Sequence, residues 1–201
     1  MKNHLFSGLS AKQLLEGNFG LEREGLRVTK EGLLSLQPHP EVFGDKKTNP
    51  YITTDFSESQ LELVTPVFQS TEEAVNFLDS LFNIAVLELN DEFIWPQSMP
   101  ANTPNPEVIP MASFPTEKKY EKYREYLKNK YGAKKQLISG IHINFSLGEQ
   151  LIRTLYERSE QQLPFRRFKQ DLYLKLTRNY LRYHWLIVYL FGAANIIHKS
   201  Y

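Results

Sequence analysis

The chain has 201 residues, 24 Lys and Arg against 23 Asp and Glu, a formal net charge of +1 and no cysteine. That length supports one sizeable core or one large piece of a bigger fold, while the balanced charge excludes a nucleic-acid stripe or a patch for anionic membranes. Disulfides and thiolate metal sites are excluded, no signal peptide is legible, and the longest apolar run, Trp185 to Ala194, is about half a membrane span, so a soluble cytoplasmic protein is expected.

Residues 7–17 read as a short helix with Leu9, Leu14 and Leu15 on one side and Gly17 at its end. A strand follows at 20–29, and a turn at Lys30-Glu31-Gly32 leads into a second strand at 33–36, which predicts a β-hairpin. Along the first strand, alternation puts Glu22, Glu24, Leu26 and Val28 on one side and Arg23 and Arg27 on the other. Glu22 and Glu24 then lie about 7 Å apart, at about 3.3 Å of rise per residue, on the rim of a face that turns apolar farther along. Two like charges there are costly without a compensating positive group, and a divalent cation is the economical one.

Pro38 to Asn49 is a polar loop. Tyr51 to Pro66 is β-branched at both ends and polar in its middle. Asp55 and Glu62 are seven apart, so an unbroken strand sends them to opposite faces. A bulge or bend at Ser57-Glu58-Ser59, poor strand sequence, resets the phase and leaves Glu58 off any site. Ser70 and Glu73 form a capping box for a helix to about Glu92, with Val75, Leu78, Phe82, Ala85 and Leu89 on its buried stripe.

Six prolines from Pro96 to Pro115 exclude helix and central strand, leaving a functional loop or an ordered spacer. Thr116 caps a helix through Tyr131, stopped by Gly132. Its Tyr120, Tyr123, Leu127 and Tyr131 share one side, which reads as core packing or, through the hydroxyls, ligand contact. The segment 136–146 alternates as a strand, with Ile141, Ile143 and Phe145 on one face and His142, Asn144 and Ser146 on the other. Ser146 with Glu149 caps a helix to about Arg158. Pro164 opens a last helix to Phe191, ended by Gly192, whose apolar positions are Phe165, Phe168, Leu172, Leu176, Tyr180, Ile187 and Phe191.

Glu22, Glu24, Asp55, Glu62 and His142 are thus hard or borderline ligands on predicted strands. Carboxylate-dominated sites suit Mg²⁺ or Mn²⁺, which keep waters and bridge to phosphates. Taken singly, each has a plainer reading: a solvated strand Glu, a hydrogen-bonded structural His, an Asp opening a turn. No Walker or dinucleotide fingerprint, no Gly-x-Ser-x-Gly elbow and no His-Glu-x-x-His motif is present, so the residues alone lead to an acidic metal-phosphate site and no further.

Gly20 to Glu24, Thr53 to Pro66 and Ser139 to Phe145, in that order and spacing, resemble glutamate–cysteine ligase, above all the form fused to a glutathione synthetase domain in some bacteria. The resemblance runs to about Ala193 and implies an α+β fold, an antiparallel sheet flanked by helices related to glutamine synthetase, with 1–201 as a single domain forming the N-terminal part of that family's catalytic domain. It implies that Glu22, Glu24, Asp55, Glu62 and His142 bind Mg²⁺ or Mn²⁺, and that Phe56, Tyr123, Leu127 and Gln136 line a cysteine pocket. No residue is assigned a covalent catalytic role. The implied activity is ATP-dependent ligation of the γ-carboxyl of L-glutamate to L-cysteine through a γ-glutamyl phosphate, the first step of glutathione biosynthesis, in the cytoplasm.

Two departures bear on this. Ile143 stands where many relatives carry an aromatic after the histidine, and the family's catalytic domain is more than twice as long. The implied partners therefore include a missing C-terminal half or a second copy, besides glutamate, cysteine and ATP. The alternatives are a non-catalytic metal- or amino-acid-binding fragment and a structural remnant that needs another chain.

Overall fold

The computed structural model describes residues 3–114, 118–159, 163–192 and 197–201. The chain divides into two compact units, Met1–Asn18 with Phe145–Ala193 and Phe19–Asn144 with Ala194–Tyr201. The expected α+β class, an antiparallel sheet with helices against it, is what the fold contains.

The spine of the sheet is β1, Gly17–Thr29. It pairs antiparallel with β3 (Gln60–Val64) over Glu22 to Leu26 and with β4 (Glu92–Ile94) over Arg27 to Thr29. Strand β2, Ile52–Thr54, pairs antiparallel with β3, giving the order β2-β3-β1-β4, and β5 (Ile141–Leu147) also joins β1. The polar break at Ser57-Glu58-Ser59 is therefore a full reversal of the chain between β2 and β3, where a bulge or bend was expected. The expected second strand at 33–36 shrinks to isolated bridges, Val28 with Leu34 and Leu33 with Asn102, although the Lys30 to Gly32 turn forms with Gly32 at φ +78°.

In the larger unit, Leu61 and Leu63 of β3 meet α2, Thr71–Glu88, in a core completed by Phe43, Ile52, Leu81, Ala85 and Leu89. Ser70 accepts a hydrogen bond from the Glu73 N–H, one half of the expected capping box. The helix stops at Glu88 because residues 92–94 are drawn into the sheet. Its buried face is Ala74, Leu81 and Ala85 with Phe77, Leu78 and Phe82 beside them, while Val75, expected inside, is 47% exposed.

Arg27, on the α2 side of β1, is 1% exposed. Its guanidinium pairs with Glu92 and donates to the carbonyl oxygens of Gln37 (2.6 Å), Pro38 (2.8 Å) and Glu58 (3.0 Å). A second core gathers Leu26, Leu34, Phe56, Ile109, Ala133 and Leu137, with Leu127 packed against it. In the proline-rich stretch Ala101, Ile109 and Ala112 are buried, and Pro106–Val108 forms a 3-10 turn.

Helix α3, Lys118–Tyr131, ends at Gly132 with φ +88°; its expected cap, Thr116, lies outside the described residues. The tyrosine stripe is not core: Tyr120, Tyr123 and Tyr131 are about half exposed, and only Leu127 of the four packs inward. Residues 134–137 form a 3-10 turn, so the strand begins at Ile141, five residues later than the alternation suggested.

In the smaller unit, the expected helix 7–17 is a single turn, α1 (Ala11–Leu14), capped reciprocally by Ser10 and Gln13; Gly17 opens β1. Leu14 and Leu15 stay exposed. Helix α4 is Glu149–Glu157, and its cap is Gly148 with no side-chain bond, because Ser146 lies within β5 and accepts from Asn18 Nδ2 (3.1 Å). Helix α5, Phe165–Phe191, starts after Pro164 and ends at Gly192. Phe165, Phe168 and Leu172 pack with Leu5, Leu151, Ile152 and Leu155, whereas Leu176, Tyr180, Ile187 and Phe191 lie on the surface. Among the described residues no helix is long and apolar enough to cross a membrane.

Candidate active site

Pairing in the sheet places the acids. Glu24 of β1 stands directly opposite Glu62 of β3, and Glu62 opposite Thr53 of β2. Opposed residues of an antiparallel pair share a face. Asp55, two residues past Thr53, and Gln60, two before Glu62, fall on that face by alternation, and the Asp55 N–H donates to the Gln60 carbonyl at 3.1 Å. The chain reversal at Ser57 to Ser59 thus removes the parity conflict between Asp55 and Glu62.

Strand β5 adds the rest. The Glu24 N–H donates to the Gly140 carbonyl (3.0 Å), and His142 Nδ1 lies 2.9 Å from Glu22 Oε2. Asn144 Nδ2 donates to Glu22 Oε1 (2.7 Å), and His142 Nε2 is 3.8 Å from Glu24 Oε1. The other oxygen, Glu24 Oε2, accepts from the Gly140 N–H (2.8 Å) and from Gln60 Nε2 (3.3 Å).

These groups feel one another. Burial pushes the Glu62 carboxyl up to about 7, helped by the charges of Asp55, Glu24 and Glu22. Burial also raises Glu24 and Asp55, opposed at Glu24 by the Gly140 N–H and at Asp55 by Arg124. His142 is raised, first by its hydrogen bond to Glu22. Arg124 spends its Nε and Nη2 on the Asp55 carbonyl oxygen (2.8 and 2.6 Å) while stacking 4.7 Å from the Phe114 ring centre.

All five predicted ligands therefore act on one face. Among the described residues, however, no three His, Asp or Glu side chains are arranged so that they could hold a metal ion directly. The oxygens of Glu22 are occupied by His142 and Asn144, and Glu24 Oε2 by two donors. What fits a cation is the donor chemistry: carboxylates whose proton affinity is raised by burial and mutual repulsion gain most from a compensating positive charge.

Of the expected cysteine-pocket residues, Phe56 is 2% exposed in the second core, Leu127 is half-buried against that core, Tyr123 is 59% exposed one turn away, and Gln136 is half-buried in the 3-10 turn. Glu58, expected on the bend and off the site, is a buried anchor that binds Lys46 and accepts from the N–H groups of His39 and Ser113. Gln60, Asn144 and Arg124 were not singled out as site residues. Spacing from Glu62 and His142 carried a signal for the first two, and nothing in the sequence pointed to Arg124.

The family described as glutamate-cysteine ligase matches residues 3–201. The chain belongs to the glutamate–cysteine ligase family. It is 51% identical over 189 residues to the glutathione biosynthesis bifunctional protein of Clostridium perfringens, which covers 93% of this chain and 24% of that protein. It is 48% identical to the glutamate–cysteine ligase of Clostridium acetobutylicum, over 95% of this chain and 40% of that one. The crystal structure of glutamate–cysteine ligase from Francisella tularensis in complex with AMP superposes with a TM-score of 0.84 at 37% identity, over 92% of this chain and 36% of that one. The bifunctional glutathione synthetase of Pasteurella multocida gives 0.82 at 41% identity, over 88% and 23%. The chain thus spans a quarter to two fifths of these glutamate–cysteine ligase relatives.

Proposed function

We propose that this chain is the N-terminal part of one glutamate–cysteine ligase catalytic domain, and that its acidic face serves ATP-dependent formation of γ-glutamylcysteine in the cytoplasm. The observation that carries the proposal is the convergence of Glu22, Glu24, Asp55, Glu62 and His142 from β1, the β2–β3 hairpin and β5. These residues would hold Mg²⁺ or Mn²⁺, which when bound screens the repulsion between a substrate carboxylate and a triphosphate. In the proposed reaction the γ-carboxylate of glutamate attacks the γ-phosphate of ATP, releasing ADP, and the amine of cysteine then displaces phosphate from the γ-glutamyl phosphate.

The chain's own part is to hold a partly buried carboxylate cluster in place, with Glu24 fixed by Gly140 and Glu22 fixed by Asn144. Tyr123 and Leu127, neighbours on one face of α3, with Gln136 and Phe56, are the proposed cysteine site.

A second reading, a binding fragment that turns over only with the rest of the domain, is favoured by α5. From Tyr180 to Phe191 it exposes Trp185, Tyr189 and Phe191 by 59, 79 and 76%, more apolar surface than a self-sufficient helix leaves in water. ADP release is to be followed with Mg²⁺, ATP, glutamate and cysteine for this chain and for a version extended to the length of the family's catalytic domain. Turnover by the short chain supports a self-sufficient ligase, and turnover by the extended version alone supports the fragment. Silence from both rejects the ligase.

A further inference from the structure

Gln60 is fully buried, with 0% of its surface exposed, yet it is a polar side chain on the acid face. Its main chain closes the β2–β3 reversal: its N–H donates to the Ser57 carbonyl (2.8 Å) and its carbonyl accepts from Asp55 N–H (3.1 Å). The side chain leaves that rigid turn and donates through Nε2 to Glu24 Oε2 at 3.3 Å. The opposite amide orientation would set oxygen against carboxylate oxygen, so the donor assignment follows from charge. Among the described residues its own Oε1 is buried without a hydrogen-bond partner. An apolar residue of the same volume would avoid that penalty. A glutamine placed there at a cost to folding points to a use for its N–H.

We propose that Gln60 is a positioning residue that, together with the Gly140 N–H, fixes the Glu24 carboxylate so that only Oε1 is presented to a divalent cation. Both donors act on Oε2, at 3.3 and 2.8 Å, while Oε1 is the oxygen directed at His142 Nε2, 3.8 Å away. Holding one oxygen by two donors from different elements, the first residue of β3 and the residue before β5, removes the rotation that would let Glu24 pair with other neighbours. The inference rests on the cation reading of the acidic face, and it names a residue outside the ligand set.

Outer-shell partners of metal ligands change metal affinity about 10- to 100-fold when removed. The test is Mn²⁺ binding to the 201-residue chain, read by the loss of the free-ion electron paramagnetic resonance signal, for wild type, Glu24→Gln and Gln60→Met. Thermal midpoints without metal are measured in parallel. The expected result is loss of binding in Glu24→Gln, and affinity at least about 10-fold weaker in Gln60→Met with its midpoint unchanged or higher. Wild-type affinity in a folded Gln60→Met overturns the positioning role alone. Identical Mn²⁺ binding by wild type and Glu24→Gln, or none by either, overturns the cation reading and this inference with it. Gln60→Leu replaces Gln60→Met if the latter does not fold; if neither folds, the side chain serves the fold and the proposal fails.

Discussion

Replacing Arg27 by methionine tests the buried charge network beneath the acidic strand. Met fills much of the same volume but leaves Glu92 without its guanidinium and the carbonyls of Gln37, Pro38 and Glu58 without a charged donor. Removing one partner of a buried ion pair costs about 3–5 kcal/mol. Arg27 is 1% exposed but Glu92 is 16% exposed, so water can reach the abandoned carboxylate and the lower end, about 3 kcal/mol, is expected. Against a total stability of about 5–15 kcal/mol, that is a large fraction. The assay is urea denaturation followed by tryptophan fluorescence, with the midpoint falling at constant slope. Lys30→Met is the control, since the Lys30–Asp91 pair is 57 and 85% exposed and its loss should leave the midpoint where it is. If Arg27→Met proves as stable as Lys30→Met, the network is not what holds β1 to the Pro38 loop.

Glu62→Gln separates stability from binding. The folded carboxyl sits near 7 against an ordinary 4.5, so its favourable contribution, complete below 4.5, is lost as pH rises through 7. The metal-free variant should therefore be more stable than wild type at pH 8, with the gap closing towards pH 4.5 in thermal melts. His39 runs the other way: burial, with the charge of Lys46 next, depresses it to about 4 from 6.5, so stability present above 6.5 drains away as pH falls towards 4. His39→Phe should flatten that limb of the pH–stability curve, and an unchanged limb would exclude His39 as its source. A Cβ at Gly25 would meet Ile94 Cγ2 at 2.7 Å, so Gly25→Ala should cost about 1–3 kcal/mol by overpacking. Ile94→Ala in the same chain should recover part of that cost in a double-mutant cycle, and strict additivity would rule out the clash.

Much of the site was legible because a strand's two-residue period is local: Glu22, Glu24, Leu26 and Val28 could be placed on one side from spacing alone. The partners across the sheet were not legible, because register is set by turns and cores remote in sequence. The break between Asp55 and Glu62 was legible from the polar Ser57-Glu58-Ser59, but not that it is a full reversal of the chain. Polarity misled where burial is satisfied by hydrogen bonds. Ser57, Glu58 and Ser59 read as a bulge or bend of poor strand sequence, yet they and Gln60 are buried, held by the Pro110 carbonyl, Lys46, the Ser35 carbonyl and Glu24. Apolar patterning misled in the other direction on α3, α5 and β5, where tyrosines, leucines and isoleucines at regular spacing face outward. Periodicity shows that a face is apolar; it does not say which polypeptide covers it. The breaks at Glu88 and Gly140 were missed because both are decided by which residues the sheet recruits.

Because β1 is laced to β3 along one stretch and to β4 along the next, its amides are released to exchange with solvent only when several ladders open together. His142 belongs to another rung: its side chain is 56% exposed on a strand that reaches this sheet through β1. A fluctuation that frays β5 would withdraw the imidazole while the carboxylates of β1 and β3 stay in register, so a partly opened molecule keeps its negative well after losing the His142 ring from it.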